Sequence, residues 1–155
     1  MADQATERLS IDVPPQRCYE IITDFESYPV WARDVKEATV LERDEAGRAT
    51  AVAFRVAAMG RSARYTLAYD YADAPRQISW SLVRGDIMRR LDGRYVFEPV
   101  NGGTDVTYHL AIELIVPIPG FIKHRAELKI IGTALDELKR WAEAGPPARE
   151  TATGR

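Results

Sequence analysis

The sequence predicts an α+β fold: a seven-stranded, curved antiparallel sheet wrapped around one long C-terminal helix, with two short helices after the first strand. Three observations predict it. Between Val35 and Leu114 apolar residues recur with a period of two, and five turn signals cut this region into six segments. A further alternating segment opens the chain. From Pro119 to about Glu143 the period becomes helical, in the only stretch long enough to cover the apolar face of such a sheet.

Each element follows from local chemistry. Leu9, Ile11 and Val13 share one parity with Ser10 and Asp12 between them, so Thr6–Val13 reads as a strand with one buried face. Pro14 and Pro15 end it, and proline is tolerated in the first turn of the helix that follows. There Cys18, Ile21, Ile22 and Phe25 fall at i, i+3, i+4 and i+7, one helix face. A second short helix is expected from Tyr28 to Asp34, carrying Tyr28 and Trp31. The turns are Glu45-Ala46-Gly47, Met59-Gly60-Arg61, Asp73-Ala74-Pro75, Arg84-Gly85-Asp86 and Asn101-Gly102-Gly103. Between them one parity is apolar: Val52, Phe54, Val56; Tyr65, Leu67, Tyr69; Ile78, Trp80, Leu82; Leu91, Tyr95, Phe97; Tyr108, Leu110, Ile112, Leu114. The long helix has Pro119 in its first turn, Gly120 near its cap, and a stripe of Leu128, Ile131, Leu135, Leu138 and Ala142 widened by Ala134 and Trp141. Gly145-Pro146-Pro147 stops it. Residues 1–145 thus form one domain, and the small, polar residues 146–155 a disordered tail.

Composition limits the function classes. The 155 residues are 46% hydrophobic and 28% charged, with one Cys and two His. No internal disulfide or thiolate cluster can form, two histidines leave little room for a metal site, and neither metal nor cofactor is expected. A net charge of −2 argues against nucleic acid as the partner. No apolar run reaches the ~18–20 residues that span a bilayer, and the N-terminus lacks a basic-then-apolar signal, so a cytoplasmic, reducing location is expected.

A twisted sheet with a helix in its concavity leaves space beside the helix, and that space is the predicted ligand pocket. Phe54, Tyr65, Tyr69, Trp80, Tyr95, Tyr108 and Ile112 face it from the sheet, Ile131 and Leu135 from the helix. The tyrosines and Trp80 read either as plain core or as the wall for a flat or long apolar molecule, oriented by hydroxyls. Arg84 continues the inward parity of Leu82 at a strand end, where it would reach the pocket mouth or stay solvated. His109 falls on the outward parity and His124 at the front of the long helix, without an oriented partner in view. Cys18 reads as a packed thiol. Gly132 would admit a ligand or a close helix–sheet approach. Ile115–Arg125 (IVPIPGFIKHR) reads either as a gate that touches a membrane surface or as a rigid connection capping the core. No G-x-G-x-x-G, P-loop or H-E-x-x-H motif is present, and no close pair of carboxylates is predicted to share a pocket.

Particular stretches resemble one family. DVPPQRCYEIITDFESYPVWARDVKEATVLERDEAG, with its D-F-x-x-Y-P-x-W segment at Asp24, Phe25, Tyr28, Pro29 and Trp31, resembles the opening of the polyketide cyclase/dehydrase and coenzyme-Q-binding branch of the START-like, or Bet v 1-like, superfamily. GRYVFEPVNGGTDVTYHLAIEL and PGFIKHRAELKIIGTALDELKRW resemble its last hairpin and gripping helix. The resemblance covers residues 6–143 and implies the helix-grip fold. It implies a carrier of a lipid, quinone or polyketide-like molecule. Two other readings stand beside this: a cyclase or dehydratase using Arg84, Tyr65 or Tyr95 with Trp80 as a stacking wall, and an interaction protein of co-chaperone type. The oligomeric state and the ligand are not readable from the sequence.

Overall fold

The computed structural model describes residues 4–144 apart from Met59; the C-terminal tail expected from composition lies outside the described residues. The elements are β1 (Ala5–Ile11), α1 (Pro15–Thr23), a 3-10 turn (Phe25–Ser27), α2 (Tyr28–Trp31), β2 (Val35–Arg43), β3 (Ala49–Ala58), β4 (Arg61–Asp70), β5 (Gln77–Gly85), β6 (Met88–Val100), β7 (Gly103–Leu114) and α3 (Gly120–Glu143). The seven strands form one antiparallel sheet in the order β1-β7-β6-β5-β4-β3-β2. This is the helix-grip architecture expected. The second short helix is shorter than expected and ends at Trp31, and Pro119 is the N-cap of α3 rather than part of its first turn.

Turn chemistry sets the register. Asn101 and Gly102 both take positive φ, 38° and 87°, the backbone of the tight hairpin that joins β6 to β7. Cys18, Ile21 and Ile22 bury one face of α1, and Thr104 donates its hydroxyl to the Val13 carbonyl at 2.7 Å, tying β7 to the segment that enters α1.

Seven strands at about 4.8 Å spacing make a sheet about 29 Å wide, whereas a helix is only about 10–12 Å across. α3 lies against β1 and β7, with α1 and α2 beside it. The remaining concave surface is closed by its own large side chains and by the Phe25–Trp31 segment. One cross-strand row shows how. Tyr69, Trp80, Gly93, Leu110 and Ala5 are successive partners across β4, β5, β6, β7 and β1. A Cβ at Gly93 would stand 2.5 Å from Trp80 ring carbons, so the indole lies directly over this glycine. Glycine inside a strand marks this kind of close approach.

Two irregularities shape the far end of the sheet. Thr66 pairs with Arg84 and Leu67 with Leu82, so Val83 is an extra residue and β5 reverses its parity there. The β5–β6 ladder also stops at Ser81 and Asp92; beyond it, Leu82, Arg84 and Gly85 pair only with β4, and Met88, Arg90 and Leu91 only with β7. The hairpin is splayed at its tip.

Gly93→Ala is expected to lower stability by about 1–3 kcal/mol, the cost of overpacking a filled site. A urea midpoint equal to wild type would show that the Trp80 ring does not need this glycine.

Candidate ligand-binding site

Inward parity brings the aromatic residues of separate strands together. Trp80 stands 5.7 Å from Tyr69, 5.5 Å from Tyr95 and 5.7 Å from Tyr108, centroid to centroid, and Tyr95 and Tyr108 stand 4.5 Å apart. The chain of rings continues from Tyr69 to Phe25 at 4.5 Å, and on through Tyr28 and Phe54 to Tyr65. The tilted and edge-on angles are those that aromatic quadrupoles favour.

Polar satisfaction separates these tyrosines into two groups. Tyr28 donates its hydroxyl to the Ile22 carbonyl and Tyr71 to the Ala49 carbonyl at 2.6 Å, so both are fixed structural donors. The hydroxyls of Tyr65, Tyr69, Tyr95 and Tyr108 have no hydrogen-bond partner among the described residues. Only two fully buried side-chain polar atoms among those residues lack a partner, Trp31 Nε1 and Glu127 Oε1. The rings that carry the four hydroxyls sit within the core or pack against it. Burial raises all four: Tyr65 is pushed up to about 12, and Tyr69, Tyr95 and Tyr108 also rise, with repulsion from neighbouring tyrosines as the lesser cause. These groups are neutral donors at physiological pH.

Of the residues singled out in the sequence, Phe54, Trp80, Tyr95, Tyr108, Ile112, Ile131 and Leu135 are buried on the sheet's inner face or on α3, and Tyr65 and Tyr69 are half-buried among them. Arg84 is not with them. The extra residue at Val83 turns it to the outer face, where it is exposed beside Thr66, and Gly85 takes the inward place opposite Tyr65. Inward parity cannot be carried across a bulge. His109 meets the Thr6 hydroxyl at 2.9 Å across the β1–β7 pair, and His124 is exposed. Cys18 is buried, and burial raises its thiol, the largest of its influences. A Cβ at Gly132 would meet nothing within 4 Å, so this glycine is not required for close helix–sheet packing.

Glu127 escaped the sequence reading. It is 1% exposed and takes the next place in the α3 stripe, 127-131-135-138-142. Its Oε2 accepts the Ile112 N–H at 2.8 Å, and Lys123 Nζ stands 3.6 Å away. Among the described residues the β1–β7 pairing runs only as far as Ala5 and Leu110. A buried N–H without an acceptor costs about 1–3 kcal/mol, and the carboxyl group supplies the acceptor for Ile112. The signal was available, since the stripe extended one turn back from Ile131 lands on Glu127.

Two surface clefts are also present. One, of about 570 Å³, lies on the outer sheet face between Glu37, Thr39, Arg55, Arg64, Thr66 and Arg84; there Arg55 pairs with Glu37 at 3.1 Å. The other, of about 280 Å³, lies between α1, α2 and Trp141. Among the described residues no cluster of three or more His, Cys, Asp or Glu is placed to hold a metal ion, and no helix is long and apolar enough to cross a membrane.

The raised hydroxyls give a pH dependence of definite sign. All seven tyrosines have folded values above the free value of about 10. Their contribution to stability is complete below pH ~10 and is lost as pH rises through the folded values. A titration of tyrosinate absorbance is expected to show well under half ionisation of the native protein at about pH 10, where the urea-unfolded chain is half ionised. Coincident native and unfolded titrations would place the hydroxyls in open water.

Comparison with known proteins agrees with this architecture. Residues 3–143 match the family described as polyketide cyclase / dehydrase and lipid transport. A search of curated proteins finds no match. A START superfamily protein from Mycobacterium smegmatis superposes with a TM-score of 0.87 at 23% identity, over 91% of this chain and 97% of that one. The protein TTHA0849 from Thermus thermophilus does so at 0.77 and 24%, over 92% and 98%. The Zhui aromatase/cyclase from Streptomyces sp. R1128 gives 0.76 at 14%, over 92% and 94%. At these identities the three structures show a shared fold. With the family match spanning nearly the whole sequence, the chain belongs to the polyketide cyclase / dehydrase and lipid transport family.

Proposed function

We propose that the chain binds and carries a hydrophobic small molecule against the concave sheet face, beside α3. The observation that carries this reading is the set of four tyrosine hydroxyls, on Tyr65, Tyr69, Tyr95 and Tyr108, without a hydrogen-bond partner among the described residues and set within a continuous aromatic wall. Apolar walls with a few neutral donors suit a lipid, quinone or polyketide-like ring system with carbonyl or hydroxyl oxygens. Phe54 and Ile112 from the sheet, with Ile131 and Leu135 from α3, would complete the lining. The family's description, which includes lipid transport, supports the same reading.

A cyclase or dehydratase is the second reading, favoured by the family description and by the fold shared with an aromatase/cyclase. In that reading the tyrosines would hold a polyketide chain folded and donate hydrogen bonds to its developing enolate oxygens, a gain from positioning more than from proton transfer. Arg84, on the outer face, contributes no cation to such a site.

Native mass spectrometry of the protein purified from its own host, followed by solvent extraction, is expected to reveal a bound apolar molecule. Trp80→Ala should lower its occupancy at least tenfold. Wild-type protein that carries no adduct and takes up no extracted lipid or quinone would overturn the carrier reading.

A further inference from the structure

The chain's exposed large apolar residues are unevenly placed. Val83 and Ile87 lie at the splayed tip of the β5–β6 hairpin, Ile115 and Val116 lead out of β7, and Phe121 and Ile122 open α3. Val116 is 69% and Phe121 70% exposed. The segments are joined: the Ile115 N–H donates to the Ile87 carbonyl at 3.0 Å, so hairpin tip and β7–α3 connection form one rim. Pro117 and Pro119 stiffen the connection between them. Ile130, nearly three turns into α3, is exposed as well.

Charge accompanies this surface. From Ile115 to Ala126 the sequence contains no acidic residue, and it carries Lys123, His124 and Arg125 directly after the exposed Phe121 and Ile122. Arg84, Arg89 and Arg90 flank the hairpin tip, with Asp86 as the acid within it. Arg89 and Arg90 stand 3.7 and 3.6 Å from Glu113, Arg90 also meets Asp92 at 2.6 Å, and Lys123 faces Glu127. Arg84 and Arg125 have no ion-pair partner among the described residues. A protruding apolar tip ringed by cations, in a chain of net charge −2, is the pattern of an interfacial lipid contact rather than of a general basic surface.

We propose that the rim formed by the β5–β6 tip, the β7–α3 connection and the first turns of α3 docks on an anionic lipid bilayer. The apolar side chains Val116, Phe121 and Ile122 enter the headgroup boundary, and Arg125 with its basic neighbours faces lipid phosphates. This contact does not depend on what the concave face holds.

Flotation with lipid vesicles tests it. The full chain is expected to float with vesicles containing about one-third phosphatidylglycerol and to remain unbound with phosphatidylcholine alone, the binding weakening as salt is added. Val116→Asp combined with Phe121→Asp should abolish flotation, and Arg125→Glu should reduce partitioning about tenfold. Val30→Asp and Leu41→Asp, exposed positions elsewhere, should leave it unchanged. All five substitutions are at surface positions, and unchanged thermal melting confirms that each variant is folded. Failure of wild type to float with anionic vesicles overturns the proposal. So does equal flotation of wild type and the Val116/Phe121 double variant. A concentration-dependent dimer in solution that those two substitutions dissolve would assign the rim to a second copy of the chain and overturn it equally.

Discussion

A single helix about 10–12 Å across covers two or three strands of a sheet whose strands lie about 4.8 Å apart, and this sheet has seven. The interior of the protein follows from that mismatch. α3 is placed against β1 and β7, and its Glu127 accepts the Ile112 N–H of β7. The rest of the concave face has no backbone element to lie against it beyond the short Phe25–Trp31 segment. Large rings close it instead, and Gly93 gives the largest of them, Trp80, a floor to lie on. A face closed by tyrosine and tryptophan brings hydroxyls into the interior, and four of those hydroxyls have no described partner. In the proposed carrier reading, the surface left by incomplete coverage is the one that takes the ligand.

Much of this was legible in the sequence because period-two alternation and glycine turns are local signals. The inward sets on β3, β4, β6 and β7 could be read from parity, and the Asn101-Gly102 hairpin from its dipeptide alone. Parity fails where the backbone inserts a residue. Leu82 and Arg84 share a parity in sequence, yet Val83 is bulged between them and they face opposite sides. No residue type at that point announces a bulge. Glu127 was missed for a different reason: a charged residue in an apolar stripe looks like an interruption until the unpaired N–H it serves is seen, and that N–H belongs to a strand 15 residues away. Gly93 carried a signal, a glycine at an inward strand position, but its partner ring came from another strand.

The inner face is aromatic and aliphatic. Its tyrosines are held protonated by burial, the one described buried carboxyl group is engaged by a backbone N–H, and both histidines lie outside. Membership of the family accommodates both transport and cyclase chemistry, and in the proposed reading both would rest on an apolar molecule held by the walls and neutral donors of this face. The splayed β5–β6 tip, part of the apolar rim, is also where the β5–β6 ladder is absent.

The central claim is that the ligand lies on the concave face. Intermolecular nuclear Overhauser effects between the co-purified molecule and the protein test it most directly. The expected contacts run to the methyl groups of Ile131 and Leu135 and to the rings of Tyr69, Trp80 and Tyr108. Contacts confined to Thr39, Ala53 and Thr66, which line the cleft on the outer face, would contradict it.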